Sequence, residues 1–273
     1  MPIDFNQQII EEFRANRGQV GGPFEGARLL LLTTVGAKTG ASHTTPLGYL
    51  PDGDRILVIA SAGGAPRHPA WYHNLLANPQ VTVEDGVFTY QAKALVLEGQ
   101  ERERLFARAV EADPGWGRYQ ATSGRILPVV ALIPIFGPPA GPLGDALKLV
   151  HDAFRRELAR IRAEVAASGS SLGAQLRVNC LTMCNNLHEH HSREDGFVFP
   201  ALEDRYPELA EVMARLRAEH EVVQRLLEQL QTLLAADDLS PGTLLNEVNR
   251  LTGEVEAHLE YEEEYLVPLL NLG

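Results

Sequence analysis

The stretch HHSREDGFVFP at residues 190–200 has a partial repeat, HLEYEEEYLVP, at residues 258–268. In both segments a glutamate follows the first histidine by four positions, and a proline follows it by ten. Residues that are four apart lie on the same face of an α-helix. Each segment therefore directs an imidazole and a carboxylate towards the same side of a predicted helix.

Two further histidines complete a repeated pattern. His151 and His220 are 69 residues apart, close to the 68 residues that separate His190 from His258. These offsets indicate a duplicated helical hairpin, in which each copy carries one single histidine and one His-x-x-x-Glu pair. Such donors, converging in the core of a helix bundle, form a dinuclear metal site. The predicted ligands are His151, His190, Glu194, His220, His258 and Glu262.

Three neighbouring residues leave alternatives open at this site. Glu263 can replace Glu262 as the ligand, since a residue five positions after His258 still lies near the same face. His188 and His191 lie about 200° and about 100° around the helix from His190, so we expect them at the surface or behind the ligands. A polar bundle with scattered histidines is the plainer alternative, but it does not account for the repeated offsets.

The two halves of the chain differ in charge. Residues 1–138 contain 12 basic and 13 acidic residues, whereas residues 139–273 contain 12 and 23. This division suggests two domains, and the acidic balance disfavours nucleic acid and anionic membranes as partners. The sequence has two cysteines, Cys180 and Cys184, a number that suits a reducing compartment. Since we find neither a signal peptide nor a long apolar span, we expect a cytoplasmic protein.

Short runs rich in Val, Leu, Ile and Thr, separated by glycine, proline and Asp-Gly turns, characterise residues 1–138. Such runs predict β-strands, at 28–34, 45–50, 55–61, 81–84, 88–97 and 127–135. The apolar periodicity predicts helices at 3–17, 69–78 and 100–110. Antiparallel strands with a few helices indicate a small α+β barrel.

Residues 139–144 (PAGPLG) are predicted to be a linker, because their prolines and glycines cannot continue a strand or a helix. Residues 145–273 form the predicted second domain. Its apolar pattern and helix-start signals predict four long helices, at 145–167, 172 to about 199, 207–234 and from 241 onwards. The short connections between them predict an all-α, up-down-up-down four-helix bundle.

Two glycine-bearing loops in the first domain are suited to binding an anion. Residues 35–40 (VGAKTG) follow a predicted strand, and their glycines allow backbone N–H groups and Lys38 to approach a negative group. Residues 61–72 (SAGGAPRHPAWY) lead into a helix N-terminus, which favours negative charge. Either loop alone is more often a structural turn, but the two in this order carry more weight.

These loops belong to a longer set of motifs: LLTTxGxKTG, TTPL, SxGGA, PAWYxNLxANP and RILPVV. With them, about residues 26–135 resemble the deazaflavin-dependent nitroreductase family, which has a split β-barrel fold of the flavin-oxidoreductase kind. The resemblance implies coenzyme F420, or alternatively FMN, as a hydride carrier. It implies that the phosphate-bearing tail is held by Lys38, Thr39, Ser61, Ala62, Gly63, Gly64 and Ala65. Trp71 and Tyr72 would then wall in the ring.

The chain departs from the pattern of this family at several positions. Ala37 and Ala62 stand where basic residues are usual, and His43 stands where an arginine is usual. Trp116 occupies the position of a tyrosine associated with nitro-group reduction, and Tyr119 follows three residues later. Because an indole is a poor proton donor, we do not expect nitroreduction to be the physiological reaction. Trp116 and Tyr119 remain the candidate catalytic residues.

The second domain resembles the hemerythrin-like (HHE) family through its single histidines and its two His-x-x-x-Glu pairs. The resemblance implies that the six predicted ligands hold two non-haem iron ions with bridging carboxylates, although manganese or zinc also suits these ligand types. Oxygen-carrying hemerythrins have a second histidine where Gln224 stands. The resemblance therefore implies an iron with an open position, which binds or senses O₂, NO or peroxide.

Together the two resemblances predict a redox protein that couples a deazaflavin-dependent reductase to a di-iron domain. Its small-molecule hydride acceptor would be of the quinone or nitro type, and family analogy suggests a homodimer. The alternative is a non-enzymatic sensor or carrier of O₂ or iron, in which the barrel is a degenerate docking or dimerisation module. The missing charge at Ala37 and Ala62 favours this alternative, and a binding titration with deazaflavin separates the two.

Overall fold

The structure is a computed structural model that describes residues 5–135, 141–168, 172–236 and 240–272. It contains two compact units, Met1–Gly137 and Pro138–Gly273, referred to below as the barrel domain and the bundle domain. Residues 139 and 140 of the predicted linker lie outside the described residues, so the domain boundary stays a prediction. The helix that follows begins at Leu143, two residues before its predicted start.

The barrel domain is built on six strands that close in the order β1-β2-β3-β6-β5-β4. The strands are β1 (Leu29–Val35), β2 (Ser42–Asp52), β3 (Arg55–Ile59), β4 (Gln80–Glu84), β5 (Thr89–Val96) and β6 (Val129–Ile135). Every neighbouring pair is antiparallel, and β1 meets β4 to complete the ring. Closure leaves no unpaired strand edge among them. The predicted α+β barrel is confirmed.

The helices of the barrel domain are α1 (Phe5–Ala15), α2 (Ala70–Ala77), α3 (Gly99–Ala112) and α4 (Gly115–Ser123). They explain why β1 is apolar at consecutive positions. Leu30 and Leu32 join the core that the strands share with α2, while Leu29 and Leu31 pack against α1. The sequence did not predict α4, since its Gly and Ser residues are weak helix formers. Packing of Trp116 against the α3 core holds it in place.

The bundle domain consists of α5 (Leu143–Ala167), α6 (Ala174–Arg193), α7 (Phe199–Arg205), α8 (Ala210–Ala235) and α9 (Pro241–Leu270). The start of α5 meets the end of α9, where the Asp145 N–H donates to Asn271 Oδ1 over 3.2 Å. Likewise Arg177, near the start of α6, donates to the carbonyl of Leu234 at the end of α8. These pairs are therefore antiparallel, and all four long helices share one leucine-rich core.

The second helix of the bundle continues past Pro200 instead of ending there. A π-helical segment, Glu194–Val198, follows α6 and leads directly into α7. Pro200 lies in the first turn of α7, where a missing N–H is tolerated. Single π turns inside helices occur frequently at functional sites, and this one begins at a predicted metal ligand.

Gly86, in the turn between β4 and β5, is predicted to be required for barrel stability. Its φ is +90°, and an added Cβ would lie 2.5 Å from Gly18 Cα and 2.6 Å from the Arg17 carbonyl oxygen. Gly53, in the turn between β2 and β3, has a φ of +68° but open space around it. Gly53→Ala should therefore lower the free energy of unfolding by about 1–2 kcal/mol through backbone strain alone. Gly86→Ala should lower the free energy of unfolding by about 1–3 kcal/mol more than this, because of the clash.

Urea unfolding followed by tryptophan fluorescence measures this difference, since Trp71 and Trp116 are the two tryptophans of the chain and both lie in the barrel domain. Equal losses for the two variants would show that the approach of Gly86 to Gly18 does not constrain the fold.

Candidate metal centre and anion-binding loops

The bundle brings the six predicted metal ligands together in its interior. His151 comes from α5, His190 from α6 and His220 from α8, while α9 supplies His258 and Glu262. Glu194 opens the π-helical segment. The side chains of His151 and Glu262 are fully buried, and His190, the most exposed of the six, shows 12% of its side chain.

The four histidines form two pairs. His151 and His190 approach each other to 3.3 Å between their Nε2 atoms, and His220 and His258 to 3.1 Å. Glu262 Oε2 lies 3.5 Å from the Nε2 atoms of both His151 and His258, and so reaches both pairs. Glu194 does the same, with Oε1 3.2 Å from His190 Nε2 and Oε2 3.7 Å from His220 Nε2. Two carboxylates that each span both pairs have the arrangement of bridging ligands.

Carboxylates outside the centre orient three of these imidazoles. His151 Nδ1 lies 2.9 Å from Glu263 Oε1, His220 Nδ1 lies 3.0 Å from Asp195 Oδ1, and His258 Nδ1 lies 3.0 Å from Glu219 Oε2. A carboxylate accepts a hydrogen bond from the Nδ1–H group, so each ring turns the lone pair of its Nε2 towards the centre. Such carboxylate–histidine contacts fix the orientation of metal-binding rings in proteins.

The same contacts separate the two candidates at the end of α9. Glu263 accepts hydrogen bonds from His151 Nδ1 and from Arg155 Nη1, the latter over 2.7 Å. It therefore lies behind His151, whereas Glu262 faces the converging Nε2 atoms. This geometry favours Glu262 as the ligand.

The residues at the centre fit a cation better than any arrangement without one. Both carboxylate oxygens of Glu194 and of Glu262 are buried and have no hydrogen-bond partner among the described residues. Unpaired buried polar atoms of this kind are destabilising. Burial raises the pKa of both carboxyls, and burial lowers the pKa of His151 to about 3. A bound cation pairs with these oxygens and with the imidazole lone pairs, and nitrogen with oxygen donors suits iron, manganese or zinc.

His191 is the residue at this centre that sequence reasoning underestimated. We expected it at the surface or behind the ligands, but its ring is 5% exposed and stacks on His220 with centroids 4.1 Å apart. The surface expectation was therefore wrong for His191, although His188 is exposed as predicted. The doubled histidine of the HHxxE motif at 190–194 pointed to this residue, but helical geometry alone did not reveal how wide the buried face of α6 is.

The first anion-binding loop is a tight turn between β1 and β2. Lys38 and Thr39 are exposed at its tip. Asn74 of α2 holds its base, since Asn74 Oδ1 accepts from the Ala37 N–H over 3.1 Å and Asn74 Nδ2 donates to Thr34 Oγ1 over 3.0 Å. Because Asn74 is buried, these bonds fix the position of the turn against the barrel.

The second loop, Ser61–Ala65, carries three successive residues with positive φ. They are Ala62 at +50°, Gly63 at +62° and Gly64 at +83°. The backbone of Ser61 has the right-handed helical conformation. A right-handed residue followed by a left-handed one turns backbone N–H groups towards a concave side, where anions bind. A left-handed conformation is strained for alanine, so the surrounding structure must stabilise it.

Arg125 provides that support, and sequence reasoning did not assign it a role. Its guanidinium donates to the carbonyls of Ala60, Ser61 and Ala65 over 3.0, 3.1 and 3.2 Å, and it lies 2.9 Å from His68 Nδ1. It thus connects the strand before the loop with the segment after it. The signal was available in the RILPVV motif, which begins at Arg125, but the motif does not reveal its long-range partners.

The predicted aromatic residues lie in different environments. Trp71 is 4% exposed and packs in the barrel core, which leaves little of its surface for a cofactor. Tyr72 is half-buried, with its ring 4.9 Å from that of His68. Tyr119 is 41% exposed, and its Cδ1 would lie 3.3 Å from a Cβ on Gly64. The ring of Trp116 lies 6.1 Å from that of Tyr119, so of the two candidate catalytic residues Tyr119 borders the second loop and Trp116 lies next to Tyr119.

Known proteins match the two domains separately. Residues 6–134 match the family of F420H(2)-dependent quinone reductases, and residues 143–270 match the hemerythrin HHE cation binding domain. F420H(2)-dependent quinone reductases from two strains of Mycobacterium tuberculosis are each 41% identical to this chain over 124 residues, which cover 44% of this chain and 83% of each relative. In the described part of the chain, we find no helix long and apolar enough to span a bilayer.

Two solved structures also resemble the chain. An F420-H2 dependent reductase is 40% identical, covers 38% of this chain and 93% of its own, and has a TM-score of 0.36. A structure described as a domain-swapped dimer is 37% identical, covers 46% of this chain and 92% of its own, and has a TM-score of 0.38.

Adjacent carboxylates on α9 should differ sharply in their effect on metal content. Glu262→Gln replaces a charged carboxylate between the histidine pairs by a neutral, weaker amide donor, so the purified variant should hold at most about one ion per chain where the wild type is expected to hold two. Glu263→Gln is the matched control, since it removes only the partner of His151 Nδ1 and should weaken binding by about 10–100-fold. Elemental analysis after dialysis against a graded series of chelator concentrations measures both effects. Equal metal loss in the two variants would remove the distinction between ligand and orienting group.

Proposed function

Since this chain belongs to the family of F420H(2)-dependent quinone reductases and continues into a hemerythrin HHE domain, we propose that it is a two-centre redox protein. The barrel domain transfers hydride from reduced F420 to a quinone-type acceptor. The bundle domain holds a pair of non-haem iron ions that bind or sense O₂, NO or peroxide. The observation that carries the second centre is the set of four unpaired carboxylate oxygens that face four imidazoles.

The two loops of the barrel domain provide the cofactor site. Bound reduced F420 supplies a hydride for the acceptor. Lys38 offers an exposed positive charge to the phosphate-bearing tail. The Ser61–Ala65 loop offers the backbone N–H groups of Ala62 and Gly63, because those of Ser61, Gly64 and Ala65 already donate to the carbonyls of Ile59, Ser61 and Ala62. These backbone donors are the physical substitute for the basic side chains that are absent at Ala37 and Ala62. FMN is the alternative carrier, and it would use the same two loops.

The region around α4 provides the acceptor site. Tyr119 is exposed beside Gly64, so its phenol can donate a hydrogen bond to a quinone oxygen next to the cofactor loop. The Trp116 indole N–H is a donor only, and it can orient the acceptor but not protonate it. Reducing a quinone to a hydroquinone needs the hydride and one proton, and the exposure of Tyr119 allows that proton to come from solvent.

The bundle domain holds its metal ions through His151, His190, Glu194, His220, His258 and Glu262. An iron pair with an open coordination position binds small oxidants and gases. Gln224 does not take the role of a further ligand, since its side chain pairs with His188 Nδ1 over 2.7 Å and with Glu228 Oε1 over 2.8 Å. This outward orientation supports a centre that is not saturated by the six predicted ligands.

An anaerobic assay tests the reductase proposal. Once the iron is ferrous, reduced F420 should be oxidised only when a soluble naphthoquinone is present, and the loss of reduced cofactor should match the quinone consumed. A nitroaromatic acceptor should react more slowly, because Trp116 replaces the expected proton donor. Failure to bind F420 at all would favour the second candidate, a sensor with a degenerate barrel, which the uncharged Ala37 and Ala62 support.

Sedimentation of the same preparation checks the predicted homodimer.

Arg125→Lys should weaken F420 binding by about tenfold or more, because a lysine cannot hold three carbonyls at once and a hydrogen bond to a charged group is worth about 1.5–3 kcal/mol. Arg118→Lys is the matched control, since Arg118 is exposed on α4. Quenching of tryptophan fluorescence by F420 gives the affinities, and a fluorescence-detected melt shows whether the barrel remains folded. Wild-type affinity in Arg125→Lys would mean that the loop holds its shape without the guanidinium.

We also propose that the two centres exchange electrons, because their fusion in one chain raises the effective concentration of each for the other. Reduced F420 added without oxygen should convert ferric to ferrous iron, two ions for each hydride consumed. Lys38→Ala, which removes the exposed cation of the cofactor site, should slow this change without altering iron content. Optical and electron paramagnetic resonance spectra follow the iron, and an unchanged ferric signal would refute coupling.

A further inference from the structure

His191 has an environment that packing alone does not explain. Its ring stacks on His220 at 4.1 Å with an interplanar angle of 13°, and it meets His258 edge-on at 5.0 Å. Its Nε2 is buried and lacks any hydrogen-bond partner among the described residues. A buried nitrogen without a partner is destabilising by about 1–3 kcal/mol, so a fifth histidine in this core requires a reason.

The donor atoms around His191 have the spacing of ligands to one ion. One ring nitrogen each of His191, His220 and His258 lie within 4.8 Å of one another. Two nitrogens that each lie about 2.1 Å from a metal are at most about 4.2 Å apart, so the three nitrogens lie close to ligand spacing. The ring of His191 must turn out of its parallel stacking on His220 for all three nitrogens to reach one ion. The second such group is His151, His190, Glu194 and Glu262. Each group contains one of the two histidine pairs described above, and the second group also contains both carboxylates.

Helix geometry explains how α6 and its continuation serve both groups. Successive residues are separated by about 100° around a helix, so Glu194 falls about 40° from His190 and about 60° from His191, between the two. Its oxygens accordingly face His190 Nε2 on one side and His220 Nε2 on the other. His190 therefore belongs to the His151 pair, and His191 belongs to the His220 pair.

We propose that His191 is a seventh protein ligand of the metal centre, bound to the ion that His220 and His258 hold. This inference rests on the proposed di-metal function and deepens it. With Glu194 and Glu262 shared, the ion at His191 has five protein donors, while the ion at His151 and His190 has four. His191 thus takes the place that Gln224 leaves unfilled, and the open position for an exogenous ligand lies on the His151–His190 ion.

Zinc loading tests the ligand count without any substitution. Zinc is diamagnetic, so the ring nitrogens of nitrogen-15-labelled histidines can be followed by NMR in the wild-type chain. Of the nine histidines, five should show the shift of a metal-bound nitrogen, and the signal absent from His191→Phe should be among the five. Four shifted histidines in a fully loaded protein would overturn the proposal for His191 alone. A wild type that binds neither zinc nor iron would overturn the di-metal function as well.

Iron binding gives a second, independent readout. His191→Phe keeps an aromatic ring against His220 but removes the nitrogen donor, so it should bind one of the two ions at least about tenfold more weakly, as expected for a lost metal contact. His188→Gln, an exposed neighbour on the same helix, is the control and should bind both ions as the wild type does. Azide added to the ferric wild type should perturb a single iron site in Mössbauer spectra. In His191→Phe both sites should respond, and a wild type in which azide perturbs both sites would contradict the asymmetry.

Discussion

Four carboxylate oxygens, which are buried beside imidazole nitrogens and have no hydrogen-bond partner among the described residues, are the constraint on which the bundle domain depends. A protein core tolerates such atoms only when something pairs with them. Glu194 and Glu262 come from different helices, and each reaches both histidine pairs, so a single pair of cations satisfies every unpaired oxygen at once. The metal ligands constrain the relative positions of the helices, and the leucine-rich core next to the centre packs the same helices together.

The two candidate sites are held in place by different physical means. In the bundle, side chains on rigid helices point inward, and carboxylates behind them set the orientation of each imidazole. In the barrel, the binding groups are largely backbone, and buried side chains of Asn74 and Arg125 hold the loops in shape. Side-chain ligands suit metal ions, which need few donors at short distances, whereas backbone donors suit a phosphate, which accepts several hydrogen bonds on its oxygens.

The chemistry of the proposed sites is complementary. A deazaflavin gives up two electrons together as a hydride, and a pair of iron ions takes up two electrons singly. The family assignment supports the first half of this combination, and the geometry of the bundle supports the second. Tyr119 is exposed in the barrel domain, and His190 is the most exposed of the six predicted ligands in the bundle domain.

The sequence alone determined the features that repeat with a local period. Short runs rich in Val, Leu, Ile and Thr between turn residues indicated the strands. The spacing of four residues placed each histidine and glutamate on one helix face, because side-chain direction follows backbone geometry over a single turn. The tertiary structure decided what depends on the rotation and packing of whole elements. It buried His191 beside His220, paired Glu263 with the outer side of His151, placed Trp71 in the barrel core and joined Arg125 to a loop some 60 residues away in sequence. None of these contacts has a local period, since each depends on where a distant segment packs.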